Sequence, residues 1–154
     1  MKASFTPKEY RQLLELVHLG MWAVTGYQGE DTAAAKRFFN FDQKLLALAA
    51  TLGCADLVEK NADGTLQPAP KLAEDERIRE IQSEFQNDTF WHEIVARLAD
   101  RDLAGDQAKR TMETPGVEPP LSTDERLKKI EDRYWKEFEK NDLASLIVLR
   151  GGRG

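Results

Sequence analysis

The stretch Asn87–Asp102, NDTFWHEIVARLADRD, combines a helix start with an apolar face and a run of alternating charges. Asn87, Asp88 and Thr89 are all residue types that cap helices well. We therefore predict an amphipathic helix that starts near residue 88 or 89 and continues to about Leu103. Its apolar residues occupy neighbouring helical positions: Phe90, Trp91, Ile94, Val95 and Leu98.

Two interpretations of this helix stay open. In the first, its apolar face completes a core, which is the common use of an amphipathic helix. In the second, Trp91, Arg97 and Arg101 contact a protein partner, because Trp and Arg are enriched at the centres of interfaces. Trp135, on a later helix, is a further interface candidate. Glu93 stands four residues before Arg97, the order that favours an ion pair on a helix surface.

A shorter helix should precede this one, over roughly residues 74–86. The acidic residues 74–76 stand where the helix dipole is positive, and Ile78, Ile81 and Phe85 have the spacing of a narrow apolar face. Because capping residues follow directly, we expect the two helices to meet at a sharp corner.

The first helix of the chain has several start signals that agree. Thr6 and Glu9 can form a capping box, Pro7 occupies the first helical position, and Phe5 can pack on Tyr10 as a hydrophobic staple. The apolar residues that follow surround most of the helix circumference. This pattern predicts a central helix that is buried on several sides.

Gly26 and Gly29 mark the end of the first helix. A second helix is predicted over about residues 31–52, with Gly53 as its stop. The short gap between the two helices favours an antiparallel helical hairpin. The second helix should face the core with residues at helical spacing: Phe38, Phe41, Leu45, Leu48, Ala49 and Leu52.

After this second helix, the sequence pattern changes from helical to strand-like. Residues 57–60 and 65–67 read as two short strands around a turn in which Gly64 can take positive φ, and Pro68 follows the second strand. Two strands alone are marginal in water, so helices or a third strand must support them. Residues 146–149, LIVL, are the candidate third strand.

The last part of the chain contains a predicted loop and a predicted helix. Residues 104–121 contain two glycines and three prolines without periodic apolar residues, which predicts a long exposed loop. Ser122 and Glu125 can form a second capping box, and Asn141 is a reasonable stop for the helix that follows. Residues 150–154 are expected to form a flexible tail.

Composition sets the outer limits of the fold. At 154 residues, 41% of them hydrophobic and 32% charged, the chain fits one globular domain over residues 1–154. The net charge of −5 offers no broad basic surface, so binding to nucleic acid phosphates is disfavoured. We predict a mainly α fold of about five helices packed as an irregular bundle, with a small β-hairpin and the candidate third strand.

The cellular compartment is predicted from what the sequence contains. Cys54 is the only cysteine, which excludes an intrachain disulfide and a zinc site built from cysteines. The first residues run into a helix start without the apolar segment that secretion requires, and no stretch approaches the roughly 20 apolar residues of a membrane span. We therefore expect a cytoplasmic protein with no membrane partner.

Glu15 and His18 form a Glu-x-x-His pair, which in helical bundles can place two metal ligands on one face. A dinuclear carboxylate site needs a second such pair, but Thr89 stands three residues before His92, the other histidine. A buried or half-buried, hydrogen-bonded histidine explains the pattern more economically. No cofactor is predicted.

No catalytic residues are predicted either. Asp56 and Glu59 follow Cys54, and an activated thiol requires an electropositive setting instead. The glycines of the final GGRG end the chain and do not open a helix, so they form no phosphate-binding loop. An enzyme is therefore the less favoured class.

Three segments carry a resemblance to a known group of proteins. They are TPKEYRQLLELV at residues 6–17, FWHEIVARLADRD at residues 90–102 and DERLKKIEDRYWKEFEKN at residues 124–141. Together they resemble an uncharacterised family of small, mainly helical bacterial proteins. The resemblance covers much of the chain and implies a shared fold and a cytoplasmic setting. It implies no catalytic residues.

The leading hypothesis is a non-enzymatic cytosolic protein that acts through protein–protein interaction or regulation, with homodimerisation as a reasonable expectation. The alternative is a protein that binds a metal or a small ligand through Glu15 and His18. A second alternative is a DNA-binding regulator in which the predicted corner presents Arg97 and Arg101, although the acidic net charge weakens it.

Overall fold

The computed structural model describes residues 4–26, 33–113 and 121–146. Within these residues the chain forms five α-helices and one two-stranded antiparallel hairpin, which confirms the mainly α class. In chain order the elements are α1 (Pro7–Thr25), α2 (Ala33–Ala47), β1 (Val58–Lys60), β2 (Leu66–Pro68), α3 (Pro70–Ala73), α4 (Glu76–Glu113) and α5 (Thr123–Asn141).

The chain divides into two compact units, Met1–Phe85 and Gln86–Gly154. The first unit contains α1, α2, the hairpin and α3, and the second contains α5 and the larger part of α4. The single domain expected over the whole chain stays a prediction.

The start of α1 confirms the sequence signals. The hydroxyl of Thr6 accepts a hydrogen bond from the Glu9 backbone N–H at 3.3 Å, and the Glu9 carboxylate accepts one from the Thr6 N–H at 2.8 Å. Pro7 occupies the first turn, where its missing N–H has no helical partner to lose. The rings of Phe5 and Tyr10 lie 6.4 Å apart between centroids, as a staple requires.

The core of the first unit lies on one face of α1. Tyr10 and Leu14 are fully buried, and the Tyr10 hydroxyl donates a hydrogen bond to the carbonyl of Leu45 on α2. Leu16 is 67% exposed, so the prediction that α1 is buried on several sides is wrong. The side chains packed against Tyr10 and Leu14 come from α2 and the segments after it: Leu46, Ala49, Cys54, Leu57 and Leu72.

α1 and α2 form the expected antiparallel hairpin. Tyr10, near the start of α1, bonds to Leu45 near the end of α2. Met21, near the end of α1, lines a groove together with Phe38 near the start of α2. Each end of one helix therefore lies beside the opposite end of the other.

The sequence prediction for α2 is wrong in two respects. The helix ends at Ala47, and successive turns replace it over residues 48–53. Phe38 and Phe41 of the predicted stripe are exposed, although Ala49 is buried as predicted. The buried positions within the helix itself are Ala35 and Leu46. The buried side of the helix is set by its contacts with α1 and β2.

The hairpin confirms the predicted strands and turn. β1 and β2 pair in antiparallel register, with Glu59 opposite Gln67, and Gly64 takes φ of +91° in the turn. Pro68 is the last residue of β2 and does not follow it. Leu146 of the candidate third strand is not in a strand, and residues 147–149 lie outside the described residues.

Residues 76–113 form one continuous helix, α4, so the predicted corner at residues 87–89 is wrong. No glycine or proline stands between residues 76 and 104, and side chains that can cap a helix are also tolerated on its exposed surface. Residues 104–113 of the predicted loop are helical and exposed. Residues 114–120 of that loop and the tail at 150–154 lie outside the described residues.

The second unit packs α5 against the later part of α4. The capping box of Ser122 and Glu125 is confirmed, and α5 ends at Asn141 as predicted. The packed apolar side chains lie on one face of each helix: Ala99 and Leu103 on α4, and Leu127, Ile130 and Tyr134 on α5.

Two leucines of α1 provide a matched test of this one-sided burial. Leu14→Ala should lower the free energy of unfolding by roughly 2–5 kcal/mol, because it leaves a cavity in the core of the first unit. Leu16→Ala removes the same atoms from an exposed position and should change it by less than about 0.5 kcal/mol. Urea denaturation followed by circular dichroism measures both, and equal losses would contradict the one-sided burial.

Thr89→Pro distinguishes a continuous α4 from a corner. At a helix start near Asp88 the proline would be tolerated, whereas inside a continuous helix it removes a backbone hydrogen bond and should cost about 3 kcal/mol. Thr89→Ala, which keeps the N–H, serves as the control. If the two variants unfold at the same denaturant concentration, α4 is not continuous at this residue.

Candidate functional site

The first unit contains a cleft of about 670 Å³ between α1, α2 and the hairpin. Its volume falls in the range of about 300–1,000 Å³ typical of small-molecule sites. The walls combine aromatic, amide and charged side chains. They are His18, Met21, Trp22 and Thr25 of α1; Ala35, Lys36, Phe39, Asn40, Asp42 and Gln43 of α2; and Asn61, Thr65, Leu66, Gln67, Pro68 and Ala73.

Helical spacing brings these side chains to the cleft. The four lining residues of α1 lie at i, i+3, i+4 and i+7, so they share one face of that helix. On α2 the same spacing joins Lys36, Phe39, Asn40 and Gln43. Two helical faces therefore form adjacent walls of the cleft.

Gln43 fixes the third wall of the cleft. Its side-chain amide donates to the Leu66 carbonyl at 2.7 Å, and its side-chain oxygen accepts from the Leu66 N–H at 2.8 Å. These two bonds satisfy the backbone N–H and C=O of Leu66 on the edge of β2 that does not face β1. Gln43 is not among the residues predicted to face the core, and no local pattern in the sequence indicates a partner 23 residues later.

Two titratable groups of the cleft are shifted by burial. Burial lowers the pKa of His18, which favours its neutral imidazole. Burial raises the pKa of Asp42, and the weak hydrogen bond from the Gln43 amide, at 3.4 Å, acts in the opposite direction. Both shifts favour the uncharged form of the group.

The remaining lining contributes aromatic surface and unused hydrogen-bonding capacity. Trp22 packs edge-to-face on Phe85, with 5.8 Å between ring centroids, and Phe39 is 42% exposed. The side-chain amide of Asn40 has no hydrogen-bond partner among residues 4–26, 33–113 and 121–146. The cleft can therefore offer a ligand both stacking surfaces and polar contacts.

A second, smaller space of about 210 Å³ lies between α1 and α2 and is almost entirely apolar. We refer to it as the α1–α2 groove. Phe41 is 61% exposed there and Phe38 is 42% exposed. Sequence reasoning missed this groove because it assigned both side chains to the core. Its lining residues are Val17, Gly20, Met21, Val24, Phe38, Phe41 and Asp42.

The predicted interface candidates Trp91 and Trp135 are half-buried in the second unit. Trp91 packs on Phe138, with 5.3 Å between ring centroids, and Trp135 packs edge-to-face on His92 at 4.9 Å. Each tryptophan thus joins α4 to α5 while part of its surface faces solvent. Their role in an interface stays a prediction.

The two arginine candidates make different contacts. Arg97 forms the expected ion pair with Glu93 at 3.1 Å and is strongly exposed. Arg101 contacts Asp102 at 2.8 Å and the Tyr134 hydroxyl at 3.1 Å. Arg101 is therefore engaged in a contact between α4 and α5, whereas Arg97 faces solvent beside its partner.

His18 and Glu15 differ in their relation to the cleft. His18 is half-buried in the cleft wall, whereas Glu15 is not one of the lining residues. In the described part of the chain, no group of three or more His, Cys, Asp or Glu side chains is placed to hold a metal ion. The thiol of Cys54 is buried and donates to the Pro7 carbonyl at 3.4 Å.

The polar contact between α4 and α5 centres on Asp102. Its carboxylate accepts hydrogen bonds from the Tyr134 hydroxyl at 2.5 Å and from Arg133 at 2.9 Å, besides the contact with Arg101. The Tyr134 hydrogen bond is the main cause that lowers the pKa of Asp102. Burial raises the pKa of Tyr134, and its bond to the carboxylate adds to that effect. Arg133 and Tyr134 lie 31 and 32 residues after Asp102, so sequence spacing could not reveal these two partners.

Asp102→Asn tests this contact through its pH dependence. A carboxyl group whose pKa is lowered by folding stabilises the folded state above its unfolded pKa, and this stabilisation is lost as pH falls through the folded value. At pH 7 the substitution should cost roughly 1–2 kcal/mol, and the difference from the unaltered protein should vanish in acid. Denaturation between pH 2 and pH 7 measures it.

Asp100→Asn is the matched control, because Asp100 is exposed on the same helix. It should change the free energy of unfolding by less than about 0.5 kcal/mol at every pH. A cost of Asp102→Asn that does not vary with pH would contradict the assignment.

None of the helices in residues 4–26, 33–113 and 121–146 combines the length and the apolar character needed to cross a bilayer. Comparisons with protein-family models, with curated proteins and with solved structures found no match.

Proposed function

We propose that this chain is a non-enzymatic protein that acts by binding another protein, as an interaction or regulatory component, through the α1–α2 groove. The observation that carries the proposal is the exposure of Phe38 and Phe41 beside an apolar groove in the first unit. Large apolar side chains gathered around a concave surface are typical of protein-binding sites.

The groove has the features of an anchoring site. Aromatic side chains supply much of the binding energy at interfaces, and Phe41 is available for contact. The guanidinium of Arg37 lies 5.4 Å from the centre of the Phe38 ring, which places a cation beside the apolar surface. An apolar centre with charge beside it matches the usual anatomy of an interface.

Gly20 leaves space for a side chain of the partner. A Cβ atom added at this position would meet no atom within 4 Å. Because Gly20 lines the groove, a partner can insert an apolar side chain beside it. An amphipathic helix presents such side chains at regular spacing, so the proposed partner surface is a helix.

The proposal includes two further expectations. A second copy of this chain is one candidate partner, since most soluble oligomers are symmetric homo-oligomers. The free thiol of Cys54 suits a reducing compartment, which supports a cytoplasmic location that cell fractionation can test. Membership of the bacterial family stays a prediction.

The DNA-binding alternative has lost the helix pair on which it rested. α4 is continuous where the corner was expected, and Arg101 is engaged with Asp102. For the metal alternative, the described residues supply no third ligand beside Glu15 and His18.

Two substitutions test the groove in opposite ways. Phe41→Ser removes the more exposed of the two phenylalanines in the groove, whereas Gly20→Leu fills the space that a partner would occupy. Each should weaken self-association, measured by sedimentation velocity, or binding of a specific partner recovered from a lysate, by at least about tenfold. Both positions are exposed, so the fold should tolerate the changes.

Leu16→Ser is the matched control, because Leu16 is an exposed apolar residue of α1 that does not line the groove. It should leave association unchanged. Association that survives both groove substitutions would exclude the groove as the binding site. A chain that stays monomeric and recovers no specific partner would exclude the function itself.

A further inference from the structure

We propose that the cleft of the first unit binds a small organic cation, an aryl amine or amidine, with its charge beside Asp42 and its flat body against Trp22 and Phe39. This site is independent of the proposed protein-binding function, although Met21 and Asp42 line both the cleft and the groove.

The charge of the ligand is inferred from Asp42. Its carboxyl group is half-buried, and its hydrogen bond comes from the Gln43 amide at 3.4 Å, which also bonds to Leu66. Asp42 forms no ion pair within the described ranges of the chain. A ligand cation would supply the charged partner that the described residues do not provide, and charge-assisted hydrogen bonds are the stronger ones.

Burial makes this contact more favourable. The pKa of Asp42 is raised because its charged form loses solvation. A nearby positive charge stabilises the ionised carboxylate, and the interaction is stronger in a partly desolvated cleft than in bulk water. A neutral ligand of the same shape would gain no such stabilisation.

The body of the ligand is inferred from the aromatic side chains. Trp22 and Phe39 come from different helices and contribute ring surface, which suits both stacking and cation–π contact. His18 favours its neutral form, so it adds little competing charge.

Benzamidine and benzamide form the probe pair, because they have nearly the same shape and only benzamidine is charged. We would titrate the ¹⁵N-labelled full chain with each and follow the Trp22 indole N–H and the Asn40 side-chain amide. Benzamidine should bind about tenfold more tightly than benzamide and shift both signals. In Asp42→Asn, the two probes should bind within about twofold of each other.

Asp88→Asn, an exposed carboxylate on α4, is the matched control and should keep the preference for benzamidine. Phe39→Leu should weaken both probes by a similar factor and leave the preference intact. The two probes on the unaltered chain decide the question even if a variant fails to fold. Equal binding of both probes, a preference that survives Asp42→Asn, or shifts confined to residues outside the cleft would overturn the proposal.

Discussion

The side chain of Gln43 holds the backbone of Leu66 through two hydrogen bonds, and the geometry of the first unit follows from this contact. A two-stranded hairpin is marginal in water because half of its backbone groups lack a partner strand. The side-chain amide of Gln43 supplies the hydrogen-bond donor and acceptor that a third strand would offer to Leu66. It thereby places β2 beside α2 and turns the space between the two helices and the hairpin into a cleft.

The same constraint explains how the apolar side chains of α2 are distributed. Because β2 approaches α2 near Gln43 and α1 approaches it near Leu45, the line of burial passes through Leu46. Phe38 and Phe41 lie away from that line and stay exposed. The cleft, whose walls are both polar and apolar, and the apolar α1–α2 groove thus lie on neighbouring parts of the same pair of helices.

In the second unit a polar contact accompanies the apolar packing. The Asp102 carboxylate accepts hydrogen bonds from Arg101, Arg133 and Tyr134. Apolar side chains of the same two helices also pack together: Ala99, Leu103 and Ile130. Apolar packing is tolerant of small rotations, whereas several hydrogen bonds to one carboxylate require a defined alignment of the two helices. Such a contact favours one register of α5 on α4.

The sequence by itself determined the features that depend on neighbouring residues. The capping boxes at Thr6 and Ser122, the hairpin turn at Gly64 and the mainly α class are short-range in origin, so local reading predicted them. Only the tertiary structure decided whether the capping residues near Asp88 start a helix or lie within one. It also decided which face of α2 is buried and which side chains line the cleft. These outcomes depend on contacts such as Gln43 with Leu66, whose partners are distant in the chain and leave no periodic signal in it.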